Sequence, residues 1–139
     1  MLEEKKDALG DLCYRRARHV IGENMRVEKF AAAVAAGDWD TAGVAMRASH
    51  ASLKNDFEVS CAEVDTLVSL ADTIPSAASV YGARMTGGGF GGCIVALVMS
   101  EDVEKVAQEM LDAYRNALGI ETTYLVTRPG DGARVLYKA

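Results

Sequence analysis

The residues with the clearest chemical potential lie between Ser79 and Met99, in the order S-V-Y-G-A-R-M-T-G-G-G-F-G-G-C-I-V-A-L-V-M. Five of the six positions from Gly87 to Gly92 are glycine, interrupted by Phe90. Glycine costs conformational entropy in a helix or a strand, so a cluster this dense implies positive φ angles or a backbone that another group approaches closely. Phosphate is the commonest such group, because consecutive N–H groups without Cβ atoms form an anion-binding concavity. Gly87, Gly89 and Gly92 satisfy a G-x-G-x-x-G spacing, but a dinucleotide loop needs a strand before it and a helix after it. Here Cys93–Met99 is a continuous apolar run rich in β-branched residues, so the loop joins two strands and the dinucleotide reading falls. The protein-kinase reading falls as well, since the chain has no V-A-I-K lysine, H-R-D or D-F-G. Two readings stand equally on spacing alone: a phosphate-facing loop, and a glycine-rich hairpin turn that binds nothing.

Other chemistry is sparse. Two histidines, His19 and His50, make no metal-ligand constellation, and His50, beside an apolar stripe, reads as a hydrogen-bonded packing residue with no nucleophile to activate. Cys13, Cys61 and Cys93 are odd in number and far apart, which argues against a disulfide framework and for a reducing, cytoplasmic setting. Arg15, Arg16 and Arg18 fall within one turn, first read as a solvated face and second as a surface for a carboxylate or phosphate. The formal charge of −5 and the lack of a longer basic block give no footprint for nucleic acid. The longest apolar run, seven residues, is far short of the ~20 needed to span a bilayer, so no membrane role is expected.

With 139 residues and 50% hydrophobic content, the chain suits one domain that buries about two thirds of its unfolded surface. Leu9, Leu12, Cys13, Arg16, Ala17, Val20 and Ile21 follow a helical rhythm that predicts one buried stripe. That stripe starts almost at once, without a cap, as in a chain continuing from something longer. The pattern resumes after Gly22 with Val27, Phe30, Ala31 and Val34 and stops at Gly37. Asp38 is placed to cap a helix that turns Ala42, Ala45, Met46, Ser49 and Leu53 inward. Ser60 and Glu63 have the spacing of a capping box for a helix through Val64, Leu67, Val68 and Ala71, closed before Pro75. Strands are expected over Val80–Met85 and Cys93–Met99, the second buried on both faces because it is apolar throughout. Ser100 is the expected cap of a helix carrying Val103, Val106, Ala107, Met110, Leu111, Tyr114 and Leu118 to Gly119. Strands at Thr122–Thr127 and Ala133–Tyr137, around the turn P-G-D-G, complete the pattern. Helices set against a mostly antiparallel sheet make the class α+β, with further helices leading in.

Three segments, Arg15–Glu23 (R-R-A-R-H-V-I-G-E), Ser49–Ser60 (S-H-A-S-L-K-N-D-F-E-V-S) and Gly82–Cys93 (G-A-R-M-T-G-G-G-F-G-G-C), resemble the galactokinase branch of the GHMP small-molecule kinases, in that branch's order. Asp131–Arg134 also fits. The resemblance implies a single GHMP-kinase carboxy-terminal domain over 1–139, a ferredoxin-like antiparallel sheet with packed helices. It implies transfer of the ATP γ-phosphoryl group to the anomeric hydroxyl of D-galactose with Mg²⁺, the metal and the catalytic groups belonging to an amino-terminal domain that this sequence does not show. By the same resemblance Thr86, Gly87, Gly88, Gly89, Gly91 and Gly92 border the nucleotide, with no catalytic or metal-binding residue in the chain. The fragment alone is expected to be inactive and to pair as a homodimer. A non-catalytic sugar- or nucleotide-sensing module, or a protein-binding one, is the alternative.

Overall fold

The computed structural model describes residues 2–130 together with Gly132 and Val135. Helix α1 runs over Lys6–Ala36, α2 over Trp39–Ser52 and α3 over Ala62–Leu70; strands β1 (Val80–Thr86) and β2 (Cys93–Val98) precede α4 (Val103–Leu118). The class is the α+β arrangement expected, with helices preceding and flanking an antiparallel sheet.

Local chemistry accounts for most of these limits. Gly37 adopts φ +70° and closes α1, and Gly119 at φ +68° closes α4, both in the left-handed geometry that ends helices. Asp38 Oδ1 accepts from Thr41 N at 2.9 Å, the cap that opens α2. Two other expected caps are replaced. Ser60 Oγ donates to Asp65 Oδ1 at 2.5 Å, so α3 begins after Cys61 without a side-chain cap. Asp102, not Ser100, stands before α4, and its carboxylate takes the Ser79 hydroxyl at 2.6 Å.

Strands β1 and β2 pair Met85 with Ile94 and Thr86 with Cys93, with an irregularity between Val80 and Gly82. The core lies between this sheet, α3 and α4: Val68, Ala71, Ile74, Val80, Ala83, Val106 and Met110. On the other side α2 meets β1 with almost no spacing. A methyl on Gly43 would overlap the Tyr81 carbonyl, and one on Gly82 would lie 2.5 Å from the Gly43 carbonyl oxygen. The same helix supplies hydrogen-bond partners to the β1 backbone. Arg47 donates to the Tyr81 carbonyl and, at 3.3 Å, to that of Val80. Such cover matters because an uncovered strand edge is a template for unwanted pairing.

Four expectations change. The buried strand is β1, where Val80, Ala83 and Met85 are at most 5% exposed, whereas β2 leaves Cys93 and Val95 open. Apolarity on both faces marked β2 as central, but α2 covers β1 instead. The first helix does not break at Gly22; α1 passes through it and bends at Gly10, where φ +69° and ψ 161° interrupt the helix. Its expected apolar stripe is not buried: Leu12, Val20 and Val27 are each more than half exposed, and Tyr14, His19 and Ala33 face inward. Finally, residues 120–130 form neither helix nor strand, so Thr122–Thr127 is not a strand here, since alternation without a partner makes no ladder. The strand expected over Ala133–Tyr137 falls, apart from Val135, outside the described residues, as do Asp131, Ala133 and Arg134.

Candidate functional site

The six residues that the family resemblance implied, Thr86, Gly87, Gly88, Gly89, Gly91 and Gly92, share one concave surface between β1 and β2. With Phe90 and Cys93 they line an open hollow of about 590 Å³. Gly87, Gly89, Gly91 and Gly92 have φ of +91°, +94°, +134° and +99°, and Phe90 is forced to +62°. Backbone of this kind is costly for residues with a Cβ and gathers at ligand clamps and active sites. Gly88 differs. It lies outside the left-handed region, and a methyl there would meet nothing within 4 Å. The turn itself therefore does not require glycine at position 88. The side chains lining the hollow are those of Thr86, Phe90 and Cys93, with no carboxylate, imidazole, ammonium or guanidinium among them. What it offers is mostly glycine backbone and space, suited to shape and dipole recognition more than to acid–base catalysis.

Two hydrogen bonds tie this loop and its entry strand to α2 and to the segment before α3. Phe90 N donates to the Val59 carbonyl at 2.7 Å. Val59 also presses on the neighbouring residue, since a methyl on Gly89 would come within 2.5 Å of that carbonyl oxygen. At the foot of the loop, Met85 N donates to His50 Nδ1 at 3.3 Å. His50 is thus a hydrogen-bonded packing residue, as its position in the helix suggested, and its partner is the strand that enters the loop.

Val59 is itself placed by the three arginines of α1. Arg15 donates to the Asn55 carbonyl at 3.0 Å and to Glu58 Oε1 at 2.6 Å; Arg16 donates to Glu58 Oε2 at 2.6 Å and to the Asp56 carbonyl. Arg18 pairs with the Asp56 carboxylate. Together they grip the wide turn Leu53–Phe57 and its exit at Glu58, a non-glycine residue at φ +60°. The solvated-face reading of this cluster gives way to the carboxylate-binding one, the carboxylates being the chain's own. The bonds from Arg16 and Arg15 hold the Glu58 carboxyl below its usual range, and Arg18 does the same for Asp56. His19 is stacked on Phe57 with ring centroids 4.5 Å apart, and its Nδ1 lies 3.0 Å from Ser52 Oγ, which donates to Asp56. Burial pushes the His19 pKa down, as it does that of His50. Burial also pushes Glu23 up, but bonds from Ser49 at 2.7 Å and Arg26 at 2.5 Å outweigh it and hold the carboxyl low.

Val59, Glu58, Gly43 and Gly82 were missed by reasoning from residue types. Val59 acts through its carbonyl, which every residue possesses, so no composition signal exists for it. Gly43 and Gly82 lie 39 positions apart, and only their contact explains either one. Among the described residues no group of three or more His, Cys, Asp or Glu side chains is placed to hold a metal ion, and no helix is long and apolar enough to cross a membrane.

Comparison with known proteins follows the same residues. The family described as GHMP kinases C terminal matches residues 30–116. Galactokinase of Glaesserella parasuis serovar 5 is 44% identical over 128 residues, covering 92% of this chain and 33% of that protein. Galactokinases of Bos taurus and Homo sapiens are 43% and 42% identical over 98% and 97% of the chain, again 33% of their own length. In three dimensions the chain is similar to Lactococcus lactis galactokinase crystallised with galactose, with a TM-score of 0.78 and 39% identity over 86% of this chain and 30% of that one. The chain spans about a third of the length of the curated relatives it matches. The glycine loop and the turn Leu53–Phe57 lie within the family match, and the chain belongs to the GHMP kinases as a carboxy-terminal domain of the galactokinase type.

Proposed function

We propose that this chain is the carboxy-terminal part of an enzyme that transfers the γ-phosphoryl group of ATP to the anomeric hydroxyl of D-galactose, and that the glycine loop borders the nucleotide phosphates across the cleft from an amino-terminal domain. Phosphoryl transfer is largely a matter of positioning and of stabilising charge. A rigid wall of backbone contributes to the first without any acid or base of its own. Mg²⁺, when bound, neutralises charge on the phosphates, and its ligands are assigned to the amino-terminal part. The cytoplasm, where thiols stay reduced, suits the three free cysteines.

The observation that carries this reading is Gly88. Positive φ accounts for the other four glycines of the loop, and contact with Val59 adds a second reason at Gly89, but nothing among the described residues accounts for position 88. A partner outside the chain that approaches the backbone there does account for it. The test is galactose-dependent ATP turnover, measured on the purified 139-residue chain and on a longer polypeptide with the amino-terminal domain. Turnover is expected only from the longer form. Turnover by the short chain would refute the division of labour, and a longer form that binds galactose without turning over ATP would move the assignment to a sugar-sensing module.

A further inference from the structure

His50 is 7% exposed and joins its own helix to two further elements. It sits on α2, its Nδ1 accepts from Met85 N of β1 at 3.3 Å, and its Nε2 lies 3.2 Å from Asp65 Oδ1 of α3. A ring nitrogen that accepts an N–H cannot carry a proton, so the neutral ring is protonated at Nε2, facing the carboxylate. Asp65 is held for that role, with Lys54 Nζ at 2.8 Å and Ser60 Oγ at 2.5 Å. The position of Met85 matters because it directly precedes Thr86, where the hollow begins.

We propose that His50 is a positioning residue for the glycine loop: its neutral ring tethers the Met85 amide, and protonation turns the Nδ1 acceptor into a donor and releases the foot of the loop. The second tether, Val59 to Phe90, carries no titratable atom and stays in place, so the loop pivots about Phe90. The charged groups bearing on the ring come from each side of it: Asp65 from α3, Lys54 from the turn after α2 and Arg84 from β1. Burial, Lys54 and Arg84 disfavour the charged ring and Asp65 favours it, with burial the largest influence, so the tether is formed at neutral pH. The consequence for phosphoryl transfer rests on the function proposed above; the tether itself does not.

The test is amide hydrogen exchange of the 139-residue chain by NMR. In His50→Leu, which removes the acceptor, protection at Met85 is expected to fall about 10-fold, the worth of one hydrogen bond. His50→Asn, whose Oδ1 can take the place of Nδ1, should recover most of it. Unchanged Met85 protection in the leucine variant would overturn the proposal. Should that variant fail to fold, the unsubstituted chain answers by titration: the amide shifts of Met85, Thr86 and Gly87 should follow the same midpoint as the His50 ring carbons, and a ring that titrates while those amides stay still would overturn the proposal equally. In the longer enzyme, KM for ATP should rise as His50 protonates and lose that dependence in His50→Asn. Amide shifts that move while KM for ATP stays flat would sink the nucleotide placement and leave the tether standing.

Discussion

Adding one methyl group at Gly88 or at Gly89 separates what the loop needs for folding from what it needs for a partner. At Gly89 the backbone has φ +94°, and the new Cβ would lie 2.5 Å from the Val59 carbonyl oxygen and 2.8 Å from its Cβ. Holding a residue with a Cβ in left-handed backbone costs about 1–2 kcal/mol. Forcing a methyl into a filled space costs about 1–3 kcal/mol more. The oxygen in the way is also the acceptor for Phe90 N, so it cannot retreat without loosening the tether. Gly89→Ala should therefore lose roughly 2–5 kcal/mol, on the order of 10 °C in Tm for a domain of this size. At Gly88 there is no left-handed strain, and among the described residues an added Cβ would meet nothing within 4 Å. Gly88→Ala should leave Tm unchanged or raise it slightly, because alanine narrows the unfolded ensemble by about 0.4–1 kcal/mol. In the longer enzyme the order reverses: Gly88→Ala should lower kcat/KM for ATP on the order of 10²-fold per folded molecule, the cost of displacing reacting groups by about 1 Å. Calorimetry of the short chain and steady-state kinetics of the long one, normalised to folded protein, measure the two effects separately. A Gly88→Ala enzyme with wild-type kinetics would refute the reasoning and return the loop to a plain hairpin turn. Gly91→Ala is the less informative substitution, since φ +134° at that position mixes strain with any functional loss.

Gly43→Ala should be among the most damaging substitutions in the chain, at about 3 kcal/mol or more, because its methyl would overlap the Tyr81 carbonyl and part α2 from β1; chemical denaturation would show it, and a loss under 1 kcal/mol would contradict the contact. Stability should decline on acidification in two stages. His19 and His50 bind protons less readily folded than unfolded, so their contribution is complete well above the unfolded value of 6.5 and is lost as pH falls through it. Asp56, Glu58 and Glu23 are held low, and their contribution, present above the ordinary carboxylate range, is lost as pH falls below about 4.5. Thermal melts from pH 8 to 3 would trace both stages, and a Tm unchanged between pH 7.5 and 5.5 would rule out the first. The exposed apolar residues of α1 should draw two copies of the isolated chain together, and Leu12→Lys with Met25→Lys should abolish the dimer in sedimentation experiments; an association unaffected by both changes would place it elsewhere.

Much of this protein is written locally. The helix ends at Gly37 and Gly119 and the cap at Asp38 could be placed from the chain alone, because each depends on residues within one turn. The same holds for the strand–glycine–strand order, where a dense glycine run between apolar segments excludes a helix whatever surrounds it. The likeness of three segments to galactokinases also identifies the family from the chain alone. Tertiary structure decided everything that depends on distance along the chain. Ser60 had the right spacing for a capping box, but Asp65 offered a better acceptor; Ser100 lost its place to Asp102. Strand β2 was apolar enough to be central, yet burial belongs to the strand that α2 covers, and the Gly43–Gly82 contact that brings α2 to β1 spans 39 residues. The loop's glycines announced unusual backbone without saying which of them serve the turn and which serve a partner. That distinction rests on the φ of each residue and the space around it, quantities that arise only once Val59 and His50 have pinned the loop in place.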